Sequence, residues 1–272
     1  VTACEPMRDL ILSIKRNATA ATPRPFSVYT SLKEQRILNA PISKPLLICV
    51  MAGVKKLGKA DDIVCPAQNF LFLPNTTKID MRNIPSEEYL ALLIEFEYAG
   101  FAQFKESPPQ EPTLVQGEIG CTLAKTLQQY IEWSAFAQPE LWHFRRQEIL
   151  QLLYLSGHRQ VGGLAARRSL SHRIHDIVSE DVAGQWTVER LAARLAVGPT
   201  TLRRRIRAED TGIRSVVERT RLGHGLHLVQ TTMEPIGRIA ERCGYLSQSR
   251  FTHRFKRLFG VTPSELRRTR LP

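Results

Sequence analysis

The spacing of apolar and polar positions divides the 272-residue chain into two parts with different periods. Between residues 26 and 100 the period is short. "KPLLICVMAG" runs from Lys44 into a glycine turn, and "NFLFLPNTTKIDMRNIP" (from Asn69) alternates before a proline stop, so both read as strands. "EEYLALLIEFEY" (from Glu87) is an apolar run ending in alternation; strand is the better reading, with helix left open. Two amphipathic helices are predicted next. One covers about 113–136, with Leu123, Leu127, Tyr130 and Ile131 on one face; the other covers about 139–156 and carries Leu141, Phe144, Ile149, Leu152 and Leu153. Glycines, serine and arginines then gather in "SGHRQVGGLAARRSLSHR", which marks a boundary. Past residue 166 every segment reads helical, with short turns between. The expected fold class is α+β: a β-rich N-terminal domain with a helical segment (1–157), a linker (158–168) and an all-α domain (169–272).

The all-α part contains a repeat. "TVERLAARLAVGPTTLRRRI" from Thr187 can be laid over "PIGRIAERCGYLSQSRFTHRF" from Pro235. Leu191 and Ala192 match Ile239 and Ala240, and Leu202 and Ile206 match Phe251 and Phe255 with the second turn one residue longer. The small residue (Ala192, Ala240) lets a second helix approach closely. A turn is expected at Gly198-Pro199 in one copy and at Cys243-Gly244 in the other. Apolar residues four apart then lock the next helix to the core and leave its other face outward. This is the helix-turn-helix arrangement, whose second helix enters the major groove of DNA. Ser247 is the expected N-cap of the second such helix. The intervening "SVVERTRLGHGLHLVQTT" from Ser215 would be a rigid connecting helix, although Gly223 and Gly225 each cost about 1 kcal/mol in a helix interior.

Charge distribution strengthens this reading. Residues 1–165 carry 17 basic and 16 acidic groups, whereas 166–272 carry 21 basic and 10 acidic, and 20 of those 21 are arginine. The planar arginine fork pairs bidentately with phosphate and with guanine. Arg203, Arg204 and Arg250 are candidates for guanine edges or phosphates, and Gln248 for adenine or backbone; phosphate clamping without base readout stays open for each arginine.

The second unit resembles the C-terminal signature of the AraC/XylS family of bacterial transcription regulators. The residues that carry the resemblance are Ile236, Ile239-Ala240, Cys243-Gly244-Tyr245, Ser247, Ser249, Phe251, Phe255-Lys256, Phe259-Gly260, Thr262-Pro263 and Leu266-Arg267, together with the first unit and the "RTRL" of the connecting helix. The resemblance implies seven helices with both recognition helices on one face. It places Thr200, Arg203, Arg204 and Arg207 of the first unit, and Gln248, Ser249, Arg250, His253, Arg254 and Lys256 of the second, toward DNA. It also implies a cupin-like barrel in the strand-rich half, a homodimer through the preceding helices with Leu152, Leu153 and Leu155 as candidates, and promoter DNA and RNA polymerase as partners. A small-molecule effector or a protein regulator would control the N-terminal half; the expected action is activation, with repression or non-specific architectural DNA binding as the alternatives.

The remaining chemistry is sparse. No histidine precedes His143, so residues 1–142 cannot build the histidine-rich metal site of cupin enzymes. His172/His175 and His224/His227 have a spacing that places two rings on one helix face, but no cysteine or carboxylate cluster accompanies them. No GxSxG, GxxxxGK[ST] or GxGxxG run is present, so no enzyme and no cofactor is expected. Five scattered cysteines without a CxxC point to reduced thiols, with a redox-sensing role for one of them left open. The N-terminus is too poor in apolar residues for a secretory signal, and no apolar run reaches membrane-spanning length, so a cytoplasmic protein is expected.

Overall fold

The structure is a computed structural model, and it describes residues 5–17, 24–104, 114–165 and 169–271. The start of the expected helix at 113 and linker residues 166–168 lie outside them. The described residues begin with helix α1 (Glu5–Asn17), which the sequence reading did not anticipate; Met7, Leu10 and Ile14 are its buried apolar residues. Among the described residues nine strands follow: β1 (Ser27–Ser31), β2 (Gln35–Ile42), β3 (Leu46–Ala52), β4 (Val54–Leu57), β5 (Ile63–Pro66), β6 (Asn69–Leu73), β7 (Thr76–Ile84), β8 (Tyr89–Glu95) and β9 (Val115–Glu118). "EEYLALLIEFEY" is therefore a strand. The helix expected from residue 113 is preceded by strand β9, and α2 covers Cys121–Trp133; α3 covers Trp142–Leu155.

All strand pairings are antiparallel, in two separate sheets of order β1-β8-β3-β6-β9 and β2-β7-β4-β5. The expected barrel is thus a pair of packed sheets whose ends are not closed by hydrogen bonds. The central strands of the larger sheet are buried on both faces, which is why they read as continuous apolar runs. Leu47, Cys49, Phe70, Phe72, Leu92 and Ile94 face a core shared with α1, α2 and α3. Their alternates, including Ile48, Val50, Leu71 and Leu93, face Ile42, Leu57 and Cys65 of the smaller sheet.

The C-terminal helices are α4 (Leu170–Glu180), α5 (Val188–Arg194), α6 (Pro199–Arg207), α7 (Ile213–Thr231), α8 (Ile236–Arg242), α9 (Gln248–Phe259) and α10 (Pro263–Arg268). Helix α7 belongs to two cores. Its Ile213, Val216 and Val217 pack with Leu191, Leu202 and Ile206 of the first unit. Its Leu222, Leu226 and Val229 pack with Ile239, Phe251, Phe255 and Phe259 of the second, and with Ile37 and Ala40 of β2.

The glycines of α7 do not break it. A Cβ at Gly225 would lie 2.8 Å from the Phe251 ring and 3.3 Å from the Cys243 sulfur. Its lack of a side chain is what lets α7 touch the second unit so closely. The first turn also differs from the sequence reading. Gly198 is the N-cap of α6 in extended conformation (φ −71, ψ 146). The left-handed residue is Ala196, φ 54, the counterpart of Gly244, φ 73. An L-residue in that conformation costs roughly 1–2 kcal/mol. Ala196→Gly is therefore expected to stabilise the chain by about 1 kcal/mol. Gly225→Ala should destabilise it by about 1–3 kcal/mol through overpacking, despite alanine's better helix propensity. The midpoints of equilibrium urea unfolding should move in opposite directions; a shared direction contradicts this account.

Candidate nucleic-acid interface and the cavity behind it

Each helix-turn-helix unit is assembled by local bonds. Thr187 caps α5 by accepting from the Arg190 amide at 3.1 Å. Ser247 caps α9 by accepting from the Arg250 amide at 3.3 Å, as expected. Gly244 serves twice in the second turn: its φ is positive, and a Cβ there would meet the Ala183 backbone and the Arg221 guanidinium at 3.0 Å. Cys243 is fully buried and its thiol is pushed up to about 12 by burial, so it fills space and is not a nucleophile.

With Leu202 and Ile206 of α6 and Phe251, Phe255 and Phe259 of α9 facing inward, the polar residues of both helices face out. Thr200, Arg203, Arg204, Arg207, Gln248, Ser249, Arg250, His253 and Lys256 are exposed, and Arg254 is half-buried. A hollow between the two units brings together Arg203, Arg250 and Arg254; the other seven lie outside it. Arg203 lies 3.4 Å from Glu189, and Arg254 lies 3.3 Å from Glu218. Such partly exposed pairs contribute roughly 0–1 kcal/mol, less than a bidentate guanine contact of about 1–3, so nucleic acid can displace them. The sequence reading missed Trp186 and Arg190, whose guanidinium lies 4.0 Å from the indole centroid. Their i,i+4 spacing was a readable signal. It also missed Arg214 and Leu246, which line the same hollow.

The dimer candidates on α3 separate. Leu153 is buried in the chain's own core and Leu152 packs partly against it, whereas Leu155 is 73% exposed.

Behind the exposed faces of α6 and α9, edge strands β1 and β2 abut the C-terminal helices. Backbone amides of Leu32 and Lys33 donate to the Thr269 carbonyl at 2.7 and 3.1 Å. A buried polar chain runs across the same junction. Lys55 donates to Asn83 at 2.8 Å, Asn83 to Gln35 at 2.9 Å, and Gln35 to the Thr269 hydroxyl at 2.7 Å. Beside this chain lies a cavity of about 400 Å³ between the two domains. Its walls are apolar (Phe26, Ile42, Leu46, Leu93, Leu226) but carry Arg24, Lys55, Arg146 and Arg219, with Glu95 as the acidic residue. Burial pulls the Lys55 ammonium down to about 8. His224 and His227, placed on one face of α7 by their spacing, also line it, with Tyr29 3.3 Å from His227 Nδ1. Burial lowers both, His224 to about 4. His172, by contrast, forms a capping box with Ser169 at the start of α4.

A family described as "Helix-turn-helix domain" matches residues 191–269, which take in the second unit and all but the start of the first. HTH-type transcriptional regulator GadX of Escherichia coli (strain K12) is 31% identical over 93 residues, 34% of each chain. HTH-type transcriptional regulator AdiY of the same organism is 25% identical over 97 residues, 36% of this chain and 38% of the relative. The C-terminal part of the chain contains a helix-turn-helix domain. The chain spans about a third of the length of the curated relatives it matches. A likeness of fold extends further. The solved structure of ToxT from Vibrio cholerae O395 superposes with TM-score 0.61 at 16% identity, covering 91% of this chain and 98% of ToxT. ToxT of strain SCE256, solved with an unsaturated fatty acid bound, gives 0.62 at 14%, covering 90% and 95%. At these identities the two structures establish the shared fold. Among the described residues no helix is long and apolar enough to cross a membrane.

Proposed function

We propose that the protein is a sequence-specific regulator of transcription, acting as an activator at promoter DNA together with RNA polymerase, in the cytoplasm. The observation that carries this reading is the pair of helix-turn-helix units on one continuous helix, with their arginines exposed. The proposed division is a regulatory part at 1–157, a linker at 158–168 and a DNA-binding part at 169–272. A homodimer, to which α3 would contribute Leu155, belongs to the same reading.

Binding should weaken steeply with salt, because each neutralised phosphate releases counterions. Arg203→Ala and Arg250→Ala should each cost about 1–3 kcal/mol and relax specificity at one base pair if the arginine reads guanine. Fluorescence anisotropy on promoter and random duplexes measures both effects, and its stoichiometry reports whether two copies bind. Equal loss on all sequences would make the arginines phosphate clamps, and no affinity at low salt would end the proposal.

The regulatory input we propose is a small amphiphilic acid in the interdomain cavity. An apolar wall with a buried lysine that hydrogen-bonds a neutral amide, and three arginines nearby, suits a carboxylate with a hydrocarbon body. The solved structure of ToxT with an unsaturated fatty acid bound supports this class. Oleate should raise the thermal midpoint of the wild type, and Lys55→Met should abolish most of that rise. Equal rises in both proteins would exclude Lys55 as the anchor.

A further inference from the structure

Leu246 is fully exposed, with a relative accessibility of 101%, yet its backbone is held on both sides. Before it, the Tyr245 amide donates to the Ala240 carbonyl at 2.9 Å, and the Tyr245 ring packs edge-on against Phe251 at 5.4 Å. After it, Ser247 caps the second recognition helix. A large apolar side chain is thus presented to solvent from a fixed turn, at the N-terminal end of the helix expected to enter the groove. Its surroundings are basic on balance: the hollow between the units holds Arg203, Arg214, Arg221, Arg250 and Arg254 against Glu189 and Glu218. An acidic or apolar protein partner would have to displace DNA from those arginines to reach it, so DNA is the occupant the surroundings favour.

We infer that Leu246 is a specificity-determining residue that reads the methyl group of a thymine in the major groove. The inference rests on the DNA-binding reading above. The physical reason is that the groove offers one apolar feature, the C5-methyl of thymine, and N-terminal residues of a recognition helix reach base edges. Arginines and Gln248 supply hydrogen bonds to guanine, adenine or phosphate, but none of them prefers a methyl. Leu246 supplies the missing discrimination. Burying one methyl group is worth about fourfold in affinity.

The test uses the full chain. Bound duplexes are selected from a randomised library, and each thymine of the selected site is then replaced singly by deoxyuridine, which removes only the methyl group. Wild type should lose about fourfold at one thymine in the half-site of the second unit. Leu246→Ala should bind the thymine and uracil duplexes equally, and because the side chain is exposed the variant should unfold at the same temperature. The inference is overturned if no single replacement weakens wild-type binding, or if Leu246→Ala keeps the full methyl dependence. Failure to select any sequence would instead remove the DNA-binding reading on which it rests.

Discussion

The close packing of one helix against three neighbours sets the arrangement of the whole molecule. Helix α7 runs through the core of the first helix-turn-helix unit, then the core of the second, and touches β2 of the N-terminal domain on the way. A helix of 19 residues is about 28 Å long, comparable to the 34 Å or so between successive major grooves on one face of a duplex. Because each unit is locked to α7 by buried side chains rather than by a loop, their separation is a property of a helix. Gly225 makes this possible: with any side chain there, Phe251 could not lie against α7 and the second unit would have to move away.

The same junction explains where the cavity lies. Two sheets that do not close into a barrel leave edge strands, and exposed edges invite unwanted pairing. Here β1 and β2 are covered by the C-terminal domain, and the buried chain from Lys55 through Asn83 and Gln35 ends on Thr269. A polar chain of this kind contributes little net stability but makes any mispositioning costly, because each buried group would lose its partner. The cavity between the domains is therefore bounded by parts that cannot shift independently. Occupancy there would act on α7 itself, through His224, His227 and Leu226.

Much of this was legible in the chain. The repeat, its register and the inward set Leu202, Ile206, Phe251 and Phe255 follow from local period alone, since a helix-turn-helix is stabilised mostly by neighbours in sequence. The arginine bias fell on the half that holds the helix-turn-helix domain. Local period misplaced the first turn, because Gly198 looked like the flexible residue whereas Ala196 takes the left-handed conformation. It also treated Gly223 and Gly225 as weaknesses, since propensity counts the helix and not the neighbour pressed against it. Helix α1 was readable in the chain: Met7, Leu10, Ile11 and Ile14 have helical spacing, and all four pack against the core. The cavity could not be read at all. Its lining comes from Arg24, Lys55, Arg146, Arg219 and His224, which only the long-range packing brings together.

The central claim is that α7 fixes the spacing of the two units. Competition binding with duplexes that carry one to five additional base pairs between the two half-sites tests it most directly. A rigid connection predicts that every insertion reduces affinity to the level of a single half-site, with no recovery at any length. Affinity that survives the insertions would show that the units move relative to one another, and would contradict the account.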